Sequence, residues 1–215
     1  MAVHGSAPEG RLAPIRILLA SSNPGKLREY RELARGSALE LDLLANFREL
    51  PPFEESAPTF AENGAGKALH YSRFTDEMVL AEDSGIVVPA LGGAPGAHSA
   101  RYAGPNGTDA DCVLKLLRAM EGKVGDERRA RFVCVTAVAR RGRALAVVSD
   151  FVEGILTEAP RGANGFGYDP VFLLSDLGRT SAEASPDEKN RRSHRGRAFR
   201  KVRNLLTAPN SSILS

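Results

Sequence analysis

Two adjacent acids, Glu82 and Asp83, interrupt the otherwise apolar stretch Met78–Val88. A buried carboxylate without a partner is costly, so acids set among strand-forming residues call for an explanation. Gly85 predicts a turn that brings both acids to the end of a strand, at a cleft. There they would hold a divalent cation or activate a water. A surface Asp-Ser-Gly turn between two strands accounts for the same residues without chemistry.

Other segments carry groups suited to an anionic ligand. Ser21-Ser22-Asn23-Pro24-Gly25-Lys26 follows an apolar run and precedes a helical pattern. The N–H groups and dipole at a helix start favour an anion, and Lys26 adds a positive charge. The spacing is not that of a Walker A loop. A capped helix start with a solvated lysine is the plainer account. Asn63 and Lys67 share a helix face, which makes Lys67 a second phosphate candidate or an ordinary exposed lysine. Glu54 and Glu55 sit in the Pro-rich loop 48–58. Magnesium takes few protein carboxylates, so a loop acid together with Asp83 would suffice for it; solvated acids are the alternative.

Two later segments add aromatic and basic groups. In Gly165-Phe166-Gly167-Tyr168-Asp169-Pro170 the glycines let a flat ligand approach the backbone, Phe166 can stack on a base and Asp169 can accept from ring N–H groups. A tight turn with core aromatics fits equally. Ser193-His194-Arg195-Gly196 follows Lys189 among Arg191, Arg192, Arg197 and Arg200. This is a basic helix face or a nucleic-acid contact, but the aromatics that stack single strands are not interleaved.

The elements that must position these groups alternate. Ile15–Ala20 and Leu39–Leu44 read as strands around a helix with Leu27, Tyr30, Leu33 and Ala34 on one face. Thr59-x-x-Glu62 opens a helix with Ala61, Ala65, Ala68 and Leu69 inward, and Thr108-x-x-Asp111 opens another with Val113, Leu114, Leu117 and Met120 inward. Ala130–Ala139 and Ala144–Glu153 flank Arg141-Gly142 as a hairpin, and Val171–Leu174 is a short strand. Pro186 begins a helix, and the last helix turns Ala198, Val202, Leu205 and Leu206 inward. The pattern predicts a mixed α/β fold with a partly antiparallel sheet, either one compact unit or one bilobed around a cleft. Residues 14–207 form one bilobed domain between flexible ends, 1–13 and 208–215.

The chain of 215 residues is 26% charged with net charge +3, too weakly basic to argue for nucleic acid. Its two cysteines fit no zinc spacing and no disulfide framework, which predicts a reduced, cytoplasmic setting. No segment has the length and apolarity of a membrane span or a secretory signal.

Six blocks together resemble the inosine triphosphate pyrophosphatase family. They are Ser-Asn-Pro-Gly-Lys (22–26), Phe-Ala-Glu-Asn-x-x-x-Lys-Ala (60–68), Glu-Asp-Ser-Gly (82–85), Pro-Gly-Ala-His-Ser-Ala-Arg-Tyr-Ala-Gly (95–104), Gly-Phe-Gly-Tyr-Asp-Pro-Val-Phe (165–172) and Glu-Lys-Asn-x-x-Ser-His-Arg-Gly-x-Ala (188–198). The resemblance implies a long central mixed sheet with helices on both sides and two lobes around a deep cleft, in a Mg²⁺-dependent homodimer that hydrolyses ITP, dITP and XTP to the monophosphate and pyrophosphate. It implies Asp83 as general base and metal ligand, with Glu54, or its neighbour Glu55, as second ligand. Ser21, Ser22, Asn23, Pro24, Gly25, Lys26, Lys67 and Ser84 would meet the triphosphate. Phe166, Gly167, Tyr168, Asp169, Lys189, His194 and Arg195 would meet the nucleotide. Gly64 and Gly66 depart from the family's helix formers, at about 1 kcal/mol each, and Glu82 stands where many relatives have Asp. The remaining alternatives are a pyrophosphatase for other modified nucleotides and a basic nucleic-acid-binding protein.

Overall fold

The computed structural model describes residues 14–208; residues 1–13 and 209–215, and with them nearly all of the expected flexible ends, lie outside it. Seven strands form one sheet. They are β1 (Ile15–Leu19), β2 (Leu39–Leu43), β3 (Met78–Val87), β4 (Arg129–Arg140), β5 (Arg143–Leu156), β6 (Phe172–Leu174) and β7 (Arg179–Thr180), in the order β2-β1-β3-β4-β5-β6-β7. β1 is parallel to β2 and β3, and every later pairing is antiparallel. The sheet is therefore mixed, as the sequence predicts. Arg141 and Gly142 both have positive φ, and the two-residue turn they form matches the twist of the long β4–β5 hairpin.

Side-chain alternation along the strands sends the two faces of the sheet to different helices. Ile17, Leu19 and Leu80 pack with α1 (Pro24–Ala34) and α5 (His194–Thr207), through Tyr30, Phe199 and Val202. Leu18, Val79 and Ala81 pack on the other face with Ala68 and Tyr71 of α2 (Phe60–Tyr71). A third core gathers Cys112, Val113, Leu116 and Met120 around α3 (Asp109–Ala119) with Ile86, Phe132 and Phe172. On α3 and its C-cap, Val113, Leu117 and Met120 face inward as expected, but Leu116 is buried in place of Leu114, which is 49% exposed. Leu205 of α5 is likewise exposed, and Phe199 takes the buried place.

The region around Asp83 departs from expectation. Glu82-Asp83-Ser84-Gly85 makes no turn: β3 runs through it without a break, with Asp83 opposite Val135 of β4. Gly85 serves close packing. A Cβ there would fall 2.2 Å from Ser99 Oγ and 2.7 Å from the Gly96 carbonyl. The missing side chain admits the 3₁₀ segment Gly96–Arg101, whose Ser99 hydroxyl accepts the Ile86 N–H at 2.9 Å. Gly64 acts similarly, since a Cβ there would meet the Val135 carbonyl at 3.1 Å and the Asp83 amide at 3.2 Å. The glycine that weakens α2 lets that helix lie against β3 at Asp83.

Gly85→Ala forces the 96–101 segment away from β3. Overpacking of this kind costs about 1–3 kcal/mol, and a thermal melt should show a clear fall in Tm. An unchanged Tm would show that the contact yields freely.

Candidate functional site

β1 ends at Leu19, and its pairing with β3 stops at Leu80, so β3 continues from Ala81 with β4 alone beside it. The space left by β1 lies where the strand directions change, the place where α/β sheets bind ligands. A cavity of about 120 Å³ sits here, lined by Asn23, Lys26, Glu55, Asp83, Ser84 and Arg195 among others. Phe166, Gly167, Tyr168, Asp169, Lys189 and His194 line it as well. Of the other candidates, Ser21, Ser22 and Pro24 border a neighbouring groove with Phe47 and Arg48, and Gly25 faces a separate hollow between α1 and α4 (Pro186–Arg192).

Glu82 and Asp83 cannot act as a pair, because alternation along β3 turns them to opposite faces. Glu82, on the α1/α5 side, is 1% exposed and takes two hydrogen bonds from Arg195, Nε to Oε2 at 2.8 Å and Nη2 to Oε1 at 2.7 Å. Tyr30 donates to it at 2.7 Å and Lys26 Nζ lies 3.0 Å away. Burial opposes ionisation, but Arg195 and Lys26 hold the Glu82 carboxyl well below the usual carboxylate range. Glu82 is therefore a structural counter-ion.

Asp83, on the α2 side, has a different environment. Asn63 Nδ2 donates to its Oδ2 at 3.0 Å and the Ser84 N–H to its Oδ1 at 2.9 Å. Among the described residues no cation forms an ion pair with it; burial raises its pKa, against the Asn63 hydrogen bond and the more distant Lys26 charge. The Glu55 charge raises it further. The loop acid that lines the cavity is Glu55, while Glu54 is exposed on the outer side of the loop. This corrects the placement of Glu54 at the centre. Which of the two neighbours faces in is set by the path of the loop, and here Glu55 is the less exposed. Lys67 reaches the cavity's edge through Glu55, Nζ to Oε1 at 2.5 Å.

The nucleotide-side candidates are tied to one another. Lys189 Nζ pairs with Asp169 and, at 2.6 Å, with Glu29, which also accepts from Arg195 Nη1. Asp169 further accepts the Phe166 N–H at 2.8 Å, which bends the Gly-rich loop around its carboxylate. Burial raises the pKa of Asp169. The Phe166 ring lies 5.0 Å from Lys189 Nζ and 5.3 Å from the Arg195 guanidinium. Tyr168 is an anchor, its hydroxyl donating to the Ser99 carbonyl at 2.8 Å. His194 stacks on Phe132 with ring centroids 4.9 Å apart, and its Nδ1 has no partner. Burial lowers its pKa to about 3, so the ring is neutral.

Residues 17–205 match the model of the Ham1 family. This chain belongs to the Ham1 family. The Ham1 chain is 48% identical over 186 residues to a dITP/XTP pyrophosphatase of Geobacillus kaustophilus, covering 86% of this chain and 91% of that protein. It is 40% identical to the dITP/XTP pyrophosphatase of Bacillus subtilis, covering 89% and 96%. A solved HAM1 protein from Coxiella burnetii superposes with a TM-score of 0.81 at 40% identity, over 91% of this chain and all of that one.

Sequence reading missed Asn63, Glu29 and Tyr30 as parts of the site. Glu29 lies one turn beyond Lys26 on α1, a spacing that marks a shared face. For Asn63 the signal was a polar residue beside a helix glycine.

The ionic chain sets an acid limit on stability. Burial opposes ionisation of Glu29, but Arg195 and Lys189 lower its pKa from 4.5 to about 2. A depressed pKa gives stability that is present above the unfolded value and lost as pH falls through the folded one. Glu29 alone then contributes on the order of 3 kcal/mol that disappears between about pH 4.5 and 2. Asp83 and Asp169, with raised values, act in the opposite sense. Urea denaturation at pH 7 and pH 3 should show the loss, and Glu29→Gln should flatten it. A Glu29→Gln profile parallel to wild type would remove Glu29 from the acid limb.

Proposed function

We propose that this Ham1 protein is a nucleoside triphosphate pyrophosphatase that clears non-canonical purines from the nucleotide pool, splitting dITP, XTP and ITP into the monophosphate and pyrophosphate. The observation that carries the reading is that one cavity is lined by an acid without a direct cation, Asp83, by the lysine at the start of α1, Lys26, and by an aromatic on a Gly-rich loop, Phe166. The pyrophosphatase names of relatives 40–48% identical agree with it. A nucleotide pool places the enzyme in the cytoplasm, and no described helix is long and apolar enough to cross a membrane.

The donor set fits Mg²⁺. Among the described residues no group of three or more His, Cys, Asp or Glu could form a closed metal cage. Magnesium keeps its waters and shares itself between one or two carboxylates and substrate phosphates. Asp83 and Glu55 supply two carboxylates from separate segments, close enough that the charge of Glu55 is felt at Asp83. When bound there, Mg²⁺ neutralises charge developing on the phosphate oxygens and helps to position water.

The protein's own groups do the rest. Asp83, oriented by the hydrogen bonds from Asn63 and the Ser84 N–H, takes a proton from the attacking water. Lys26 stabilises the pyrophosphate as it leaves. Lys67 does the same once it exchanges Glu55 for phosphate. The cavity is smaller than the roughly 300–1,000 Å³ of pockets for drug-sized ligands. The Phe166 ring rests against Gly25, where a Cβ would lie 2.5 Å from it, so the ring stands at the border between this cavity and the hollow beside α1.

Base selection follows from hydrogen-bond polarity. Arg195 directs Nε and Nη2 to Glu82 and Ser84 and one Nη1 proton to Glu29, which leaves one Nη1 proton. That donor and the unpartnered His194 suit the O6 acceptor of hypoxanthine or xanthine. The 6-amino group of adenine would set donor against donor and leave buried groups unpaired.

The assembly in this proposal is a homodimer. Val147, Phe151 and Ile155 share one face of β5 and stand exposed, a strip that a second copy would cover. Light scattering should show a dimer for wild type and a monomer for Phe151→Glu; a dimeric variant would exclude this strip as the interface.

Asp83→Asn should lower kcat by about 10²–10⁴ with the fold intact by circular dichroism. Pyrophosphate release should be fast with ITP, dITP and XTP, slow with ATP and GTP, and abolished by chelating Mg²⁺. Equal rates across the five nucleotides, or near-normal turnover in Asp83→Asn, would defeat the assignment.

A further inference from the structure

Asp83 and Glu55 come from segments 28 positions apart in the chain, yet a shared metal demands a fixed spacing between them. Asn63 meets that demand directly. It is fully buried on α2. Its Oδ1 accepts the Ala57 N–H at 3.0 Å, and its Nδ2 donates to the Ala57 carbonyl at 3.2 Å. The second Nδ2 proton goes to Asp83 Oδ2 at 3.0 Å. One amide thus clips the acidic loop and orients Asp83, with both of its N–H donors engaged.

Arg101 holds the same loop from the opposite side. Its Nη2 donates to the Glu55 carbonyl at 2.6 Å. Arg101 closes the 3₁₀ segment that Gly85 admits against β3, and Ser99 fixes that segment to Ile86 of the same strand. Both tethers therefore refer the loop to β3, the strand that carries Asp83. Asn63 gives its whole side-chain amide to Ala57 and Asp83, and Arg101 is exposed where it borders the cavity beside Glu55.

We infer that Asn63 and Arg101 are positioning residues that set the Glu55–Asp83 spacing for a divalent cation. The inference rests on the metal reading given above. Groups that orient metal ligands are worth about 10–100-fold in metal affinity.

Arg101→Ala, Arg101→Lys and Asn63→Ala test it, with two readouts. The first is hydrogen exchange at the amides of residues 53–57 without metal or nucleotide. Exchange should accelerate in both alanine variants, most at Ala57 in Asn63→Ala, and unchanged exchange in both would overturn the tether. The second is titration with Mn²⁺ alone, read by electron paramagnetic resonance, beside the Mg²⁺ dependence of ITP hydrolysis. Arg101→Ala should weaken Mn²⁺ binding and raise the Mg²⁺ half-saturation about 10-fold. Its KM for ITP at saturating Mg²⁺ should stay within about 2-fold, and Arg101→Lys should recover part of the loss. A rise in KM for ITP without a change in metal affinity would make Arg101 a phosphate contact and overturn the inference. A wild type that binds no Mn²⁺ and ignores Mg²⁺ would overturn the metal reading, and the positioning role with it. If Asn63→Ala fails to fold, the exposed Arg101 carries the test.

Discussion

The two-pronged bond between Arg195 and Glu82 is the constraint on which the rest of the site depends. Both side chains are 1% exposed. Each charge alone at that depth would cost several kcal/mol, and removing one partner of such a pair typically costs 3–5 kcal/mol, on the order of a whole domain's margin. The pair joins the middle of β3 to the first turn of α5. From Arg195 the chain of charges continues through Glu29 on α1 and Lys189 on α4 to Asp169 in the Gly-rich loop. Four elements distant in sequence are thereby set against one strand. Apolar packing could bring them near, but it is non-directional; the fork of a guanidinium on a carboxylate fixes angle as well as distance.

Period-two alternation then divides the work between adjacent acids. Glu82 faces the cations and is paired with them; Asp83 faces α2, where the Asn63 amide and the Ser84 N–H donate to it. A single residue step on one strand separates a carboxylate held ionised as structure from one whose pKa is raised. Such divergence between neighbouring titratable groups is how one fold assigns different roles to like residues. It also explains why an unbroken strand serves better than a turn. A turn would let the two acids converge, and Arg195 would then draw Asp83 down as well.

Much of this was legible in the sequence, and the pattern of what was not has a physical cause. The capping signals marked α2 and α3, because Thr59–Glu62 and Thr108–Asp111 are local interactions between near neighbours in the sequence. Arg141-Gly142 announced the hairpin for the same reason. The Asp-Ser-Gly turn did not survive, because Gly85 answers to Ser99, a contact set by tertiary packing that no local pattern records. Glu54 was named ahead of Glu55, because which of two neighbouring side chains faces inward depends on the path of an irregular loop. Asn63 went unassigned, because its three hydrogen bonds reach a loop and a strand beyond its own helix. Local chemistry is readable in one dimension; partners chosen by the fold are not.

The same network bears on how a cavity with so many cations around it stays folded. Lys26, Lys67, Lys189 and Arg195 would repel one another across a small space if left unpaired. Each has a carboxylate instead: Glu82, Glu55, Asp169 and Glu29. These pairs are not equivalent. Arg195 and Glu82 are sealed from water, so exchanging Glu82 for a phosphate would leave an unpaired charge in the interior. Lys67 and Glu55 are 13% and 28% exposed. Water screens their attraction and solvates either partner during separation, so this pair is the inexpensive one to open. On the proposed function, this rim pair is the one that a metal-bound triphosphate would replace, the metal at Glu55 and a phosphate at Lys67, while the buried pairs behind it hold the frame.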